Sequence, residues 1–151
     1  MNIETNPIPI LKLKDFLIVS IQSDLHDRMA EQLQYDILKH ISETEAKGVI
    51  IDISALEMVD SFIGRTLADT ARMASTLDAE IVLVGMRPAV AITLVELGLS
   101  LGEVQTALNL DDGYELLNKA INNKYHQHAE EDENIELNEE AGEALNGSNS
   151  N

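Results

Sequence analysis

The sequence predicts an α/β fold: a single domain with a mostly parallel mixed sheet flanked by helices, in the order ββαβαβαβα, and then a disordered acidic tail. Three observations carry this. Gly48 to Ile53 (GVIIDI) and Glu80 to Gly85 (EIVLVG) are nearly unbroken apolar runs, the pattern of strands covered on both faces. The segments between and around them repeat their apolar residues at helical spacing. After Ile121 the composition shifts to Glu, Asn, Gly and Ser, so the domain is expected over 1–121 and the tail over 122–151.

The elements follow in order. Ile8 to Leu13 and Phe16 to Ile21 read as two strands, with Lys14-Asp15 as the hairpin turn. In the next segment Leu25, Met29, Leu33, Ile37 and Ile41 recur every four residues, and Asp24 is the expected N-cap. Gly48 closes the loop into the third strand. A second helix is predicted over Ser61 to Leu77, with Ile63, Leu67, Ala71, Ala74 and Leu77 on one side. After the fourth strand, Pro88 stands where Pro favours a helix start and Gly98 where Gly favours a stop. A short strand near Glu103 to Ala107 and a last helix from Asp111 to Ala120 complete the domain, whose parallel strands require right-handed crossovers. The tail holds too little apolar surface to offset its ordering entropy, with at most one helical turn near Ile135 to Leu137.

Composition narrows the function. An apolar share of 44% with only 3% aromatics implies an aliphatic core. The absence of Cys removes disulfides, thiol nucleophiles and thiolate metal sites. The opening MNIETNPIPI has no basic stretch followed by an apolar one, and no apolar run nears the roughly 20 residues of a membrane helix, so a cytoplasmic protein is expected. The net charge is −17; residues 122–151 hold eight acids against Lys124, a net of −7, which leaves −10 on 1–121. Such a surface repels phosphate backbones and anionic lipid heads. Neither nucleic acid nor membrane is an expected partner; proteins are.

Enzyme motifs are missing. No Gly-rich loop is followed by Lys and Ser or Thr, SIQSDLHD stands where a dinucleotide fold has its glycines, and no Gly-x-Ser-x-Gly elbow occurs. His26 and His40 are too far apart on one helix to share an ion, and the HQH of His126 and His128 reads as solvated tail, so neither a metal nor a cofactor is expected. Asp52 ends a strand as the acceptor of a phospho-receiver does, but no acidic pair follows the first strand and EVQTALNLDD offers no Lys. The acids Asp111 and Asp112 read as helix-start charges. Helix Ala89 to Leu97 leaves only Thr93 and Glu96 polar, which fits either deep burial or a face kept for another subunit.

Ser61, in MVDSFIGRTL (Met58 to Leu67), is the remaining candidate. The spacing makes it the N-cap of the second helix, with Asp60 as an ordinary acid beside a helix start. A phosphoryl group there would meet unpaired N–H groups and the positive end of the helix dipole, adding about −1.5 to −2 charge without melting the helix. Phe62 gives a docking partner an apolar contact, and Gly64 lets another backbone approach closely.

Several stretches resemble the STAS domain family, the fold of bacterial anti-sigma-factor antagonists, and within it the RsbS-like stressosome scaffolds. They are PIPILKL, LIVSIQSDLHD, GVIIDISALEMVDSFIGRTL, LVGMRPAVAITLVELGLSL and TALNLDDGYELL, with the DSF trio and GMRPAVAITLVELG the most specific. The resemblance implies a non-enzymatic scaffold that self-associates in a large complex with RsbR-like sensor paralogues and sequesters an RsbT-like serine kinase. Phosphorylation of Ser61 would release the kinase, and an RsbX-like phosphatase would reset the site. It also implies kinase docking around Asp60, Phe62 and Gly64. The alternative within the family is a stand-alone anti-sigma-factor antagonist; a nucleotide-binding module is disfavoured by the missing phosphate loop. Two features depart from the resemblance. Val84 stands where RsbR-type paralogues carry a second acceptor Thr, and the acidic tail exceeds the usual length.

Overall fold

In the computed structural model, residues 7–98 and 104–147 are described. The strands are β1 (Ile10–Leu13), β2 (Phe16–Ser20), β3 (Gly48–Asp52), β4 (Glu80–Val84) and β5 (Gln105–Ala107). The helices are α1 (Asp27–Thr44), α2 (Ser61–Thr76), α3 (Pro88–Glu96) and α4 (Leu110–Gly147). The order is the expected ββαβαβαβα. One five-stranded sheet has its strands in sequence order; β1 is antiparallel to β2 and the other pairs are parallel.

Side-chain alternation divides the sheet between two cores. Leu17, Val19, Val49, Ile51, Ile81 and Leu83 join the buried faces of α1, α2 and α3 in one cluster. Phe16, Ile50, Val82 and Val84 point the other way, toward the start of α4. There the Phe16 and Tyr114 rings meet edge-on at 5.1 Å. A Cβ on Gly113 would lie 2.7 Å from Val84 Cγ1, so the missing side chain lets α4 sit down on the sheet. With both faces covered, β3 and β4 have no solvent side to keep polar. The one buried polar side chain described, Thr70, donates to the Thr66 carbonyl at 2.6 Å and accepts from Gln34 of α1 at 3.1 Å.

Several boundaries differ from expectation. β1 begins at Ile10 rather than Ile8, because Pro9 has no N–H to give the ladder. Residue 103, expected to open β5, lies outside the described residues. The α1 N-cap is His26 rather than Asp24, and no side chain caps it. At α4 the Asn109 side chain accepts the Asp112 N–H at 2.9 Å, so Asp111 and Asp112 sit within the first turn. Gly98, at φ 69°, follows α3 as expected.

The largest difference is in α4, which runs to Gly147 instead of ending at Ala120. The segment 122–147, expected to be disordered, is helical, and residues 148–151 lie outside the described residues. The chain divides into two compact units, Met1–Leu117 and Asn118–Asn151. From Tyr125 to Ala144 every side chain is exposed. Burial therefore does not account for the helix there. Local propensity does: seven of the twenty residues from Tyr125 to Ala144 are Glu, three are Ala, and none is Pro.

Candidate functional site

The parallel strands deliver four loops to the carboxyl edge of the sheet: 21–26 after β2, 53–60 after β3, 85–87 after β4 and 108–109 after β5. Open α/β sheets carry their sites at this edge. The loop 53–60 is fixed before α2 begins. Ile53 N–H donates to the Val84 carbonyl at 3.0 Å, and Leu56 N–H turns back to the Ile53 carbonyl at 3.0 Å. Leu56 and Val59 are buried and hold the loop to the core. Ser54 N–H donates to the Asp52 carboxylate at 2.9 Å.

The neighbouring loops are tied to it. Arg87 Nε donates to the Ser54 carbonyl at 2.8 Å, and its Nη1 lies 3.9 Å from Glu57 Oε1. Asp24, freed from capping α1, accepts the Glu57 N–H at 3.4 Å. Gly85 makes the close approach possible. Its φ is +73°, and a Cβ there would lie 2.8 Å from the Ser54 Cβ and 3.1 Å from Asp52 Oδ1. Any side chain at Gly85 would meet both steric and conformational resistance.

At the start of α2 the structure corrects the assignment of the cap. Asp60, not Ser61, is the N-cap: its backbone is extended and its Oδ1 accepts the Ile63 N–H at 2.9 Å. Gly64 N–H makes the first helical bond, to the Asp60 carbonyl at 3.0 Å. Ser61 is therefore the first helical residue, half-buried, and its hydroxyl has no hydrogen-bond partner among the described residues. An aspartate caps as well as a serine and adds negative charge where the dipole favours it. The division of labour leaves the hydroxyl free.

Asp60, Ser61 and Phe62 reach the surface together, and Phe62 is 36% exposed beside the far more open Met58. Gly64 does not join them. It is buried among the inward residues of α2, next to Ile63. Asp24, Gly85 and Arg87 join the site without a motif of their own in the sequence. Arg87 did leave a signal, since a cation directly before a helix N-terminus opposes the dipole and needs another anchor. Asp24 left none, because its contact to Glu57 spans 33 residues. Among the described residues, no three His, Asp or Glu side chains gather as a metal site, and no helix is long and apolar enough to cross a membrane.

A five-stranded mixed sheet with a serine-bearing helix start after its central strand defines a class. The STAS domain profile matches residues 8–113, and the chain belongs to that family. Within it, the chain is similar to a serine-to-glutamate variant of RsbS from Moorella thermoacetica, at 43% identity and a TM-score of 0.69 over 76% of this chain and 97% of that one. It is also similar to a chain of the stressosome, a signal integration and transduction hub: 40% identity, TM-score 0.62, covering 75% and 98% respectively. The RsbT co-antagonist protein RsbRA of Bacillus subtilis is 30% identical over 97 residues, 64% of this chain. The chain spans about a third of the length of the curated relatives it matches, 34% of RsbRA.

Proposed function

We propose that this chain is a cytoplasmic stressosome scaffold that sequesters an RsbT-like switch kinase and releases it when Ser61 is phosphorylated. The observation that supports this most is the 43% identity to RsbS across 97% of that protein. The geometry of α2 agrees with it: Asp60 completes the helix start, so the Ser61 hydroxyl can be modified without uncapping the helix. In the transfer, Ser61 Oγ attacks the γ-phosphorus of ATP, the bond to ADP breaks, and the hydroxyl proton passes to a base of the kinase. ATP, Mg²⁺ and catalysis belong to the kinase, and this chain is its substrate. The new charge at the rim, beside Phe62 and Met58, weakens the kinase contact by desolvation and repulsion. An RsbX-like phosphatase hydrolyses the ester to reset the site.

Assembly with further copies and with RsbR-like paralogues belongs to the same reading. Its surface is α3, where Val90 and Leu94 are buried while Ile92 and Val95 remain 59% and 67% exposed. In a chain of net charge −17, a helix whose single charged residue is Glu96 is where two copies meet with least repulsion. Light scattering should therefore show a large particle for the chain mixed with its paralogue, and Ile92→Glu should reduce its mass. A monomer or dimer under every condition would favour the stand-alone antagonist instead. The phosphoacceptor assignment is tested by incubation with the cognate switch kinase and ATP, followed by mass-spectrometric mapping.

A further inference from the structure

The surface row of α2 that starts at Ser61 continues four residues on to Arg65 and four more to Asp69. Residues at this spacing share a face, with Cβ atoms about 5–6 Å apart. Asp69 is engaged by the Arg72 guanidinium. Arg65 is exposed, and among the described residues it has no ion-pair or hydrogen-bond partner. Arg87, the other arginine described at this site, is held by the Ser54 carbonyl and Glu57.

We infer that Arg65 is the internal counter-charge that binds the phosphoryl group of phosphorylated Ser61. The inference rests on the proposed role of Ser61 as acceptor and names the residue that would hold the modified state. An anion four residues N-terminal to a cation is the favourable orientation on a helix. A phosphate dianion offers three acceptor oxygens, and a guanidinium meets two of them with parallel N–H donors. The Ser61 and Phe62 N–H groups, which precede the first helical bond at Gly64, face the same end. Glu57 and Asp60 on the loop repel the phosphate, so the balance draws it along α2 toward Arg65. Phosphorylation then completes an alternating row of charge: phosphate, Arg65, Asp69, Arg72.

The test uses the full chain with phosphoserine inserted at position 61 during translation, so that no kinase is required. Phosphorus NMR follows the second phosphate ionisation in the chain that keeps Arg65 and in its R65Q and R65K variants. Binding by Arg65 stabilises the dianion, so R65Q should raise the midpoint by about half a pH unit, R65K should restore most of the drop, and 1 M salt should erase the difference. Equal midpoints in the Arg65 and R65Q chains at low salt would overturn the inference. Circular dichroism of unphosphorylated R65Q, an exposed substitution, should match the parent. If the kinase modifies a residue other than Ser61, the proposed function fails while the titration still gives its answer. If the kinase modifies Ser61 but the midpoints are equal, the role of Arg65 alone fails.

Discussion

Helices α2 and α3 both begin at the carboxyl edge of the sheet, directly after parallel strands, yet their starts are built differently. α2 is closed by its own residue, Asp60, and keeps a free hydroxyl at its first position. α3 has no side-chain cap; Pro88 opens it, and its N-cap residue Arg87 reaches out to the loop before α2. One start is complete in itself and the other helps hold its neighbour. Ser61 consequently stands on a braced platform while carrying little of the structural load.

That contrast can be broken from either side, and the largest effect should come from Gly85. Gly85→Ala forces a Cβ against Ser54 at a backbone angle that disfavours side chains, with an expected cost of about 2–4 kcal/mol, read by urea unfolding. Arg87→Ala removes a hydrogen bond to a carbonyl and a half-exposed ion pair. We expect it to lower stability by about 1–2 kcal/mol and to raise hydrogen exchange at Leu56, in the loop before α2. Asp60→Ala should cost about 1 kcal/mol, a few degrees in thermal melting, and Asp60→Ser should recover most of it. Ser61→Ala should change stability by less than about 0.5 kcal/mol, because the hydroxyl makes no hydrogen bond among the described residues. A loss at Ser61→Ala equal to that at Asp60→Ala would mean that the two residues share the cap.

Much of this fold can be read along the chain. Valine and isoleucine runs at 48–53 and 80–85 have one physical use, a doubly covered strand, and Pro88 and Gly98 bracket α3 by backbone restrictions that few other residues share. The cap of α2 was harder. Asp60 and Ser61 are adjacent and equally competent, and the choice is settled by burial of Val59 and Ile63, which sets where the helix must turn. The ties among Asp24, Glu57, Ser54 and Arg87 join separate loops, so local pattern could not reveal them. Residues 125–144 show the opposite problem: low hydrophobicity agrees with their exposed side chains, but it does not forbid a helix rich in Glu and Ala.

Ser61 is the residue on which the account turns. The most direct measurement is to incubate the chain with the proposed RsbT-like switch kinase and Mg-ATP, map the phosphate by mass spectrometry, and titrate the kinase against both forms. We expect one phosphate, on Ser61, absent from Ser61→Ala, and weaker kinase binding by the modified chain. Phosphate on another residue of a folded Ser61→Ala chain, or unchanged kinase affinity after modification of Ser61, would contradict it.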